Sequence, residues 1–439
     1  MKIKIFQATD GDCLLLEGQN DTNILVDGGR GGSFLDNTLP ELNELTEDSR
    51  DLDLVYVSHI DNDHISGILK LTEYLVKWKV FDFQQQNNPI FPKPKHPRPP
   101  EIKEIWHNAF KDILGANAGP AEDILVLAGQ AFLVEGQHVD SLHRVENMIT
   151  GFNEAVELSL RLQENLPGVK LNDPAGGDLM IRNPQLMEVA LGGLKIKILG
   201  PTQESIDKLR KEWEEFIDDG KLKLEKIKED IEEEGRRLGL SEEVILHKSI
   251  TRFANQFEEL GQGNITIPNI ASLILLIEEE RSHNDVVRIL LTGDARSEEI
   301  LEGLRAHQLI DDNNGIHIDV LKMQHHGASA NVTPKFCKTV TADHYIFCGN
   351  GSHHNPEIEV LKAIVDSRLG AMAQESLNPG TVGDEFRIWF SNSEDSANTK
   401  TRKTHMKKVE ETMEDLKDKY NDAFTTRYIR KGTHHTFTI

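Results

Sequence analysis

Short apolar runs separated by polar turns dominate the first part of the chain. Each run is rich in Val, Ile, Leu and Phe, which is typical of buried β-strands. After the fourth run, the apolar residues of ILKLTEYLVKW recur at helical spacing and predict a helix. The predicted strands are KIKIFQA, CLLLEG, TNILVDGG and LDLVYVS.

Strands and helices continue to alternate beyond a proline-rich segment. QQQNNPIFPKPKHPRPP must be irregular, because proline restricts φ and removes a backbone donor. It is followed by the strand EIKEIWHNAF, a helical region near 139–166, and the strands LMEVALG and LKIKILGP. Later strands are ASLILLIEEE, VVRILLTGDA, HIDVLKMQHHG, DHYIFCGNG and DEFRIWFS. The tail predicts a charged helix over about 393–425 and, in RYIRKGTHHTFTI, a closing pair of strands.

Residues 203–261 differ in composition from the segments on either side. ESIDKLRKEWEEFIDDGKLKLEKIKEDIEEEGRRLG is dense in Glu and Lys and predicts one or two long exposed helices. Such an insertion is either a solvated helical element without chemistry or an arm that binds a protein partner. The predicted regions are 1–202 and 262–392 as the two halves of one fold, 203–261 as a charged helical insertion, and 393–439 as a C-terminal helix with closing strands.

Composition narrows the class of protein. Of the 439 residues, 38% are hydrophobic and 28% are charged, as in globular proteins. Cys13, Cys337 and Cys348 show no CxxC spacing, which argues against a disulfide framework or a cysteine zinc site. No apolar segment is long enough to span a bilayer. We therefore predict a cytoplasmic protein without a membrane segment.

The net charge of −24 argues against extended binding to long nucleic acid, which usually requires a basic surface. A bound pair of divalent cations would add about four positive charges locally, so that a phosphate could still be held there. The basic run FPKPKHPRPP could guide a strand to the site, although its prolines equally suit a linker.

The most informative segment is SHIDNDHISG, which follows the fourth predicted strand. Its four potential metal ligands are His59, Asp61, Asp63 and His64. Imidazole nitrogens and carboxylate oxygens both bind divalent metals. The first two residues can point toward one ion and the last two toward a second ion beside it. Alternatively, Asp63 caps the following helix and the histidines are incidental.

Two adjacent ions need a shared anionic ligand, and later strand ends offer candidates. In LLTGDA, Asp294 follows an apolar strand and Gly293, whose small size allows close approach. In LKMQHHGAS, His325 and His326 stand at the end of another strand. Ligands from several strand ends would form a binuclear site on one edge of a β-sandwich. Such a site can generate a hydroxide at neutral pH and clamp a phosphoryl or carbonyl oxygen.

SHIDNDHISG is similar to the HxHxDH signature of metallo-β-lactamase-fold hydrolases, with Asp61 in the second ligand position. Further segments resemble the ComEC-type branch of this family and follow the branch's order over most of 1–200 and 262–392. They are TDGDCLLLEG, ILVDGG, NIASLILLI, LLTGD, LKMQHHG and GSHHNPEIEVLKAI. The resemblance implies an α/β fold, namely an αββα metallo-β-lactamase sandwich with a helical insertion.

The resemblance also implies a set of metal ligands for two divalent ions, Zn²⁺ or Mn²⁺. In this implied set, Asp294 bridges the ions and at least one residue of the histidine pair is a ligand. Asp63 and Asp294 are implied to take part in catalysis. The implied ligands are His59, Asp61, Asp63, His64, Asp294, His325 and His326.

Other positions are implied to support this set. Asp27, in LVDGG, matches an aspartate that holds the first motif from behind. His353 or His354 matches a histidine near the substrate. Many family members carry a further histidine in a GHTxGS context that this chain lacks, and His107 is the best candidate for that place. Asp61 in place of a histidine makes the site more oxygen-rich, which shifts the expectation toward Mn²⁺ and leaves Zn²⁺ open.

We therefore expect a metal-dependent hydrolase in which a hydroxide held between two metal ions attacks the substrate. The branch resemblance favours a phosphodiesterase or nuclease acting on nucleic acid or a nucleotide. One alternative is hydrolysis of a lactone, amide or thioester by the same fold. Another is a partner-gated effector subunit of a multi-protein, defence-type system, which would bind its partner through 203–261.

Overall fold

The predicted strands assemble into two β-sheets in the computed structural model of the chain. The structure describes residues 1–108, 154–211 apart from 156, 271–439 apart from 283 and 284, and the isolated residues 214, 215, 218 and 229. Residues 139–153 of the helical region predicted near 139–166, and most of the insertion at 203–261, lie outside the described residues. Of the described residues in these two regions, 157–165 and 203–211 are helical.

The first sheet combines the N-terminal strands with the last strand of the chain. Its strands are β1 (Lys2–Phe6), β2 (Leu14–Glu17), β3 (Asn23–Val26), β4 (Leu54–Val57), β5 (Glu104–His107), β6 (Lys170–Leu171) and β15 (His434–Thr438). They lie in the order β15-β1-β2-β3-β4-β5-β6. Strands β3 to β6 pair in parallel, so the carboxyl ends of β3, β4 and β5 meet at one edge.

The second sheet contains the strands that follow. They are β7 (Glu188–Leu191), β8 (Leu194–Gly200), β9 (Ile274–Ser282), β10 (Asp285–Leu291), β11 (Ile316–Lys322), β12 (Val340–Phe347), β13 (Phe386–Phe390) and β14 (Phe424–Tyr428). Their order is β14-β13-β12-β11-β10-β9-β8-β7. Strands β10 to β14 pair in parallel, and their carboxyl ends therefore also share one edge.

Helices follow the parallel strands and form the crossover connections that parallel pairing needs. They are α1 (Leu39–Glu47), α2 (Asn62–Gln85), α3 (Ser297–Ala306), α4 (Pro334–Thr339), α5 (Ile358–Leu369) and α6 (Lys400–Lys419). A helical turn at Gly31–Ser33 and a π turn at Phe34–Thr38 lead into α1. In the described part of the chain, no helix combines the length and apolar character needed to cross a membrane.

Apolar burial holds four layers together. One cluster joins the facing sides of the two sheets and includes Tyr56 and Trp106 from the first sheet and Ile198 and Ile289 from the second. A second cluster packs α1 and α2 on the outer face of the first sheet, and a third packs α3 to α6 on the outer face of the second. The order helices, sheet, sheet, helices confirms the predicted αββα metallo-β-lactamase sandwich.

The two closing strands do not pair with each other, contrary to the sequence-based expectation. β14 pairs in parallel with β13 in the second sheet, whereas β15 pairs antiparallel with β1 in the first. Each sheet offers an open edge with unpaired backbone groups, and each strand satisfies one of them. The last segment of the chain therefore links the two sheets instead of forming a hairpin.

Candidate metal centre

Three strand ends carry the predicted ligands to one edge of the sandwich. β4 leads into the 59–64 motif, β10 into Asp294, and β11 into the turn Gln324–Gly327. Gly293 is needed before Asp294 because its φ is +50°, and a Cβ there would lie 2.9 Å from the Cβ of Ser58. This close approach brings the end of β10 against the end of β4.

The start of α2 leaves the side chains of the motif available. The helix begins at Asn62, and its N-cap residue, Asp61, is extended and makes no side-chain capping bond. Asp63 lies within the first helical turn and is therefore not the N-cap residue. The alternative in which Asp63 only caps the helix and the histidines are incidental does not apply. The Asp61 carbonyl accepts backbone hydrogen bonds from His64 at 2.8 Å and Ile65 at 3.0 Å, so the backbone itself fixes the turn.

Asp294 lies between the two histidines of the motif. Its Oδ2 is 3.6 Å from Nε2 of His59, and its Oδ1 is 3.6 Å from Nε2 of His64. Within the described residues, both of these nitrogens and Asp294 Oδ1 are buried without a hydrogen-bond partner. Buried polar atoms are normally paired, and divalent cations placed between the carboxylate and the imidazoles would satisfy all three. The donor atoms lie within 4.8 Å of one another, which fits a bound metal.

The other predicted ligands divide between the two histidines. Asp61 Oδ2 is 3.5 Å from Nε2 of His59. Asp63 Oδ2 is 3.8 Å from Nε2 of His64 and 3.1 Å from Nε2 of His326. The donor sets are therefore His59 and Asp61 on one side and Asp63, His64 and His326 on the other, with Asp294 shared.

The histidine pair after β11 also converges on Asp294. Nε2 of His325 is 3.7 Å and Nε2 of His326 is 3.9 Å from Asp294 Oδ2. Both histidines have positive φ, +47° and +54°, a backbone conformation that is costly outside glycine. His325 is also 2.9 Å from Asn331, through Nδ1 and Oδ1, whereas His326 is more deeply buried. The strained turn thus directs two imidazoles to one carboxylate.

His107 lies beside the first donor set. It ends β5 and pairs in register with Val57 of β4, two residues before His59. In the described part of the chain, neither ring nitrogen of this buried residue has a hydrogen-bond partner. Burial and the neighbouring His59 lower the pKa of His107 to about 4. The ring is therefore neutral at physiological pH and keeps a lone pair for a metal.

Replacing His107 with leucine is expected to lower the metal content by about one ion per chain, because the first donor set loses a nitrogen. Metal analysis of dialysed protein by mass spectrometry checks this. His317→Leu is the matched control, since it removes a partly exposed histidine that contacts Thr341 in the second sheet. Unchanged metal in folded His107→Leu protein would show that His107 is a core residue and not a ligand.

Two carboxylates lie against Nδ1 of histidines that are predicted metal ligands. Asp27 Oδ2 is 3.0 Å from Nδ1 of His64, and Asp27 also accepts hydrogen bonds from the Ser58 amide at 2.7 Å and hydroxyl at 2.8 Å. Asp12 Oδ1 is 3.1 Å from Nδ1 of His326. A carboxylate on Nδ1 fixes the imidazole ring and leaves Nε2 for the metal. Asp27 thus contacts His64, and its implied support role stays a prediction. Asp12 was missed, although TDGDC contains it.

A buried lysine accompanies Asp12 and was also missed. Lys322, the last residue of β11, forms an ion pair with Asp12, and their side chains are 2% and 0% exposed. Its ammonium donates a hydrogen bond to the Gly293 carbonyl at 3.0 Å and lies 3.8 Å from Asp294 Oδ1. Because Lys322 neutralises Asp12, this carboxylate is suited to orienting His326 and less suited to binding a cation. The only sequence signal was a lysine at the end of an apolar strand.

Residues 7–77 match the metallo-beta-lactamase superfamily. The matched segment contains Asp12, Asp27 and the whole 59–64 motif. No curated protein and no solved structure matches the chain. Together with the buried histidine and aspartate groups, the superfamily match indicates a metal-dependent hydrolase.

Without metal, the centre stabilises protonated imidazoles. Burial opposes charge on His64, but the carboxylates of Asp294 and Asp63 raise its pKa to about 10. Burial likewise lowers the pKa of His326, but Asp12 and Asp294 raise it well above the ordinary value. A metal-bound imidazole is neutral, so metal binding at neutral pH must displace these protons. Metal affinity should therefore increase with pH.

The two histidines expected near the substrate lie on the turn Ser352–His354. Both are exposed, and both have positive φ, +51° for His353 and +62° for His354. Asn355, directly after the turn, donates a hydrogen bond to the His325 carbonyl at 3.3 Å. The turn thus borders the metal centre, but in the part of the chain described here neither imidazole belongs to a metal-spaced donor group.

Proposed function

We propose that this protein is a phosphodiesterase of the ComEC-type branch that uses two divalent metal ions, Mn²⁺ or Zn²⁺. The observation that carries the proposal is the position of Asp294, whose two carboxylate oxygens each face a different buried histidine. Two ions that share a carboxylate can stabilise both the attacking and the leaving oxygen of an in-line phosphoryl displacement. The ComEC-type motifs of the sequence favour phosphodiesters over carbonyl substrates.

The donor set favours a hard metal. When bound, divalent ions would polarise the scissile group and favour ionisation of a water molecule. His59 and Asp61 would hold one ion, with His107 completing that side. Asp63, His64 and His326 would hold the other. The carboxylates in this set support Mn²⁺, and the imidazoles also suit Zn²⁺.

Asp63 is suited to orienting the attacking water. Burial opposes its charge, but His64 and His326 hold the pKa of Asp63 well below its usual range. An ionised carboxylate accepts hydrogen bonds and donates none, so Asp63 can align a water molecule, whereas its low pKa makes it a weak acceptor of the proton. Because Asp27 fixes the imidazole of His64 in advance and Asp12 lies 3.1 Å from that of His326, little rearrangement is needed when charge develops on the substrate.

Hydrolysis of bis(4-nitrophenyl) phosphate tests the proposal. We expect turnover that requires added Mn²⁺ or Zn²⁺ and stops with a chelator. A lactone, an activated amide and a thioester, assayed in parallel, test the carbonyl alternative. If the protein hydrolysed a carbonyl substrate in a metal-dependent way but did not hydrolyse the phosphodiester, the proposed substrate class would be rejected. Positive phosphodiesterase activity would justify comparing DNA, RNA and cyclic nucleotides.

A further inference from the structure

Two arginines from distant parts of the chain meet at one aspartate beside the metal centre. Arg30 follows β3, and Arg402 lies in the first turn of α6. Arg30 donates to Asp10 through Nε at 2.8 Å and Nη2 at 3.3 Å, and Arg402 Nη2 donates to Asp10 Oδ2 at 3.5 Å. One carboxylate thus aligns two guanidinium groups.

The loop that carries Asp10 rests directly on the first metal motif. At Gly11, a Cβ would lie 1.8 Å from the Asp63 carbonyl oxygen, so only glycine allows this contact. Arg30 also donates a hydrogen bond to Asn62, the neighbour of Asp63. Burial lowers the pKa of Arg30, but the carboxylates of Asp10 and Asp63 raise it above its ordinary value. A guanidinium is a cation in any case, so the contact with Asn62 places a fixed positive charge next to a predicted metal ligand.

Arg402 is held on its other side by the turn that borders His325. Its Nη2 donates to Ser352 Oγ at 3.1 Å. Gly351 packs against the α6 backbone, where a Cβ would lie 2.8 Å from the Arg402 carbonyl oxygen. The same turn reaches the metal centre through the hydrogen bond from Asn355 to His325. Arg402 thus occupies the space between two loops that both border the metal centre.

Both arginines are fixed but remain accessible. The side chain of Arg30 is 25% exposed and that of Arg402 is 24% exposed. Within the described residues, the hydrogen bonds of Arg402 use Nη1 and Nη2, which leaves its Nε–H for a ligand. A guanidinium fork matches the oxygens of a phosphate better than a lysine ammonium does. A held, partly exposed arginine pair suits an anion that lies beside the reacting group.

We propose that Arg30 and Arg402 form a subsite for a second phosphate of the substrate, adjacent to the scissile phosphodiester. This inference rests on the proposed phosphodiesterase function and refines it, because it assigns a substrate with at least one additional phosphate group. An oligonucleotide carries such groups within its strand, and a nucleotide carries one at its end. The chemistry recognised is the same phosphate in both cases.

Binding measurements test the subsite independently of hydrolysis. The probe is a fluorescent pentathymidylate with hydrolysis-resistant phosphorothioate linkages, and the readout is its anisotropy with the metal-loaded, full-length protein. Arg402→Gln is expected to raise the Kd about tenfold, because one charge-assisted phosphate contact is lost. The Kd of Arg402→Lys should lie between the Kd values of this variant and the wild type, since lysine keeps the charge but not the guanidinium fork. Lys403→Gln, which removes an exposed charge at the next position of α6, should bind as the wild type does.

Competition by thymidine 5′-phosphate separates the two sources of the phosphate. A loss of affinity for this competitor in Arg402→Gln would support a terminal phosphate, and a loss for pentathymidylate alone would support an internal one. Unchanged affinity for both ligands, or an equal loss in Lys403→Gln, would overturn the subsite. A protein that binds through Arg402 but hydrolyses no phosphodiester would retain the subsite and reject the catalytic proposal, so the two failures are distinguishable.

Discussion

Replacing Asp294 with alanine is expected to reduce metal-dependent hydrolysis by about 10³-fold or more, since the shared ligand of both donor sets is lost. Burial opposes the charge on Asp294, but His325, His64 and His59 hold its pKa far below the usual range. The residue is therefore an anion at neutral pH. The measurement is kcat/KM for bis(4-nitrophenyl) phosphate at saturating Mn²⁺, together with metal content.

Two further variants sharpen this test. Asp294→Asn keeps the shape of the side chain but removes its charge, so a comparable loss would assign the effect to the anion and not to packing. Asp312→Ala removes an exposed aspartate from the segment before β11 and should retain full activity. Substantial hydrolysis by metal-loaded Asp294→Ala protein would contradict a shared carboxylate ligand and would place the reacting group elsewhere.

The local part of the site could be predicted from the sequence because its residues share one turn. His59 to His64 follow an apolar strand and precede a helical pattern, so their spacing alone brings four potential ligands to a strand end. Asp294 was predictable for a related reason, since Gly293 after an apolar run indicates a close approach at a sheet edge. Parallel order within each sheet aligns the carboxyl ends of its own strands, and the packing of the two sheets then brings the end of β10 against the end of β4.

The long-range part of the site could not be predicted in this way. Asp12 after a glycine is as typical of an ordinary turn as of a site, and nothing local shows that it faces His326. Arg30 and Arg402 meet only because α6 packs beside the turn that follows β12. The pairing of β14 and β15 with different sheets also depends on which edges remain open, which no local pattern encodes.

Lys322 provides the second large expected effect, on stability. Its ammonium is buried with Asp12, and burial opposes its charge while the carboxylates of Asp12 and Asp294 raise its pKa above the ordinary value. Lys322→Met keeps most of the volume but leaves the Asp12 carboxylate without its closest cation. We expect the free energy of unfolding of the metal-free protein to fall by about 3 kcal/mol, as for other buried pairs that lose one partner.

Urea unfolding with a chelator, followed by circular dichroism, measures this change. Lys338→Met is the matched control, because Lys338 pairs with the exposed Glu375 at 2.7 Å, and it should change stability by about 0.5 kcal/mol or less. Adding Asp12→Asn to Lys322→Met should recover part of the loss, since the unpaired charge is then removed. Additive losses in the double variant would contradict a direct interaction between the two side chains.

Lys322→Met should lower the free energy of unfolding less in the metal-loaded protein than in the metal-free protein. Divalent cations held by Asp294 and the neighbouring histidines would restore positive charge near Asp12, and ligands that bind the folded state stabilise it further. An equal loss with and without metal would indicate that Lys322 acts through packing alone. A smaller loss with metal would show that the lysine and the metal ions compensate the same cluster of carboxylates, and hence that the charge of this centre is balanced by both together.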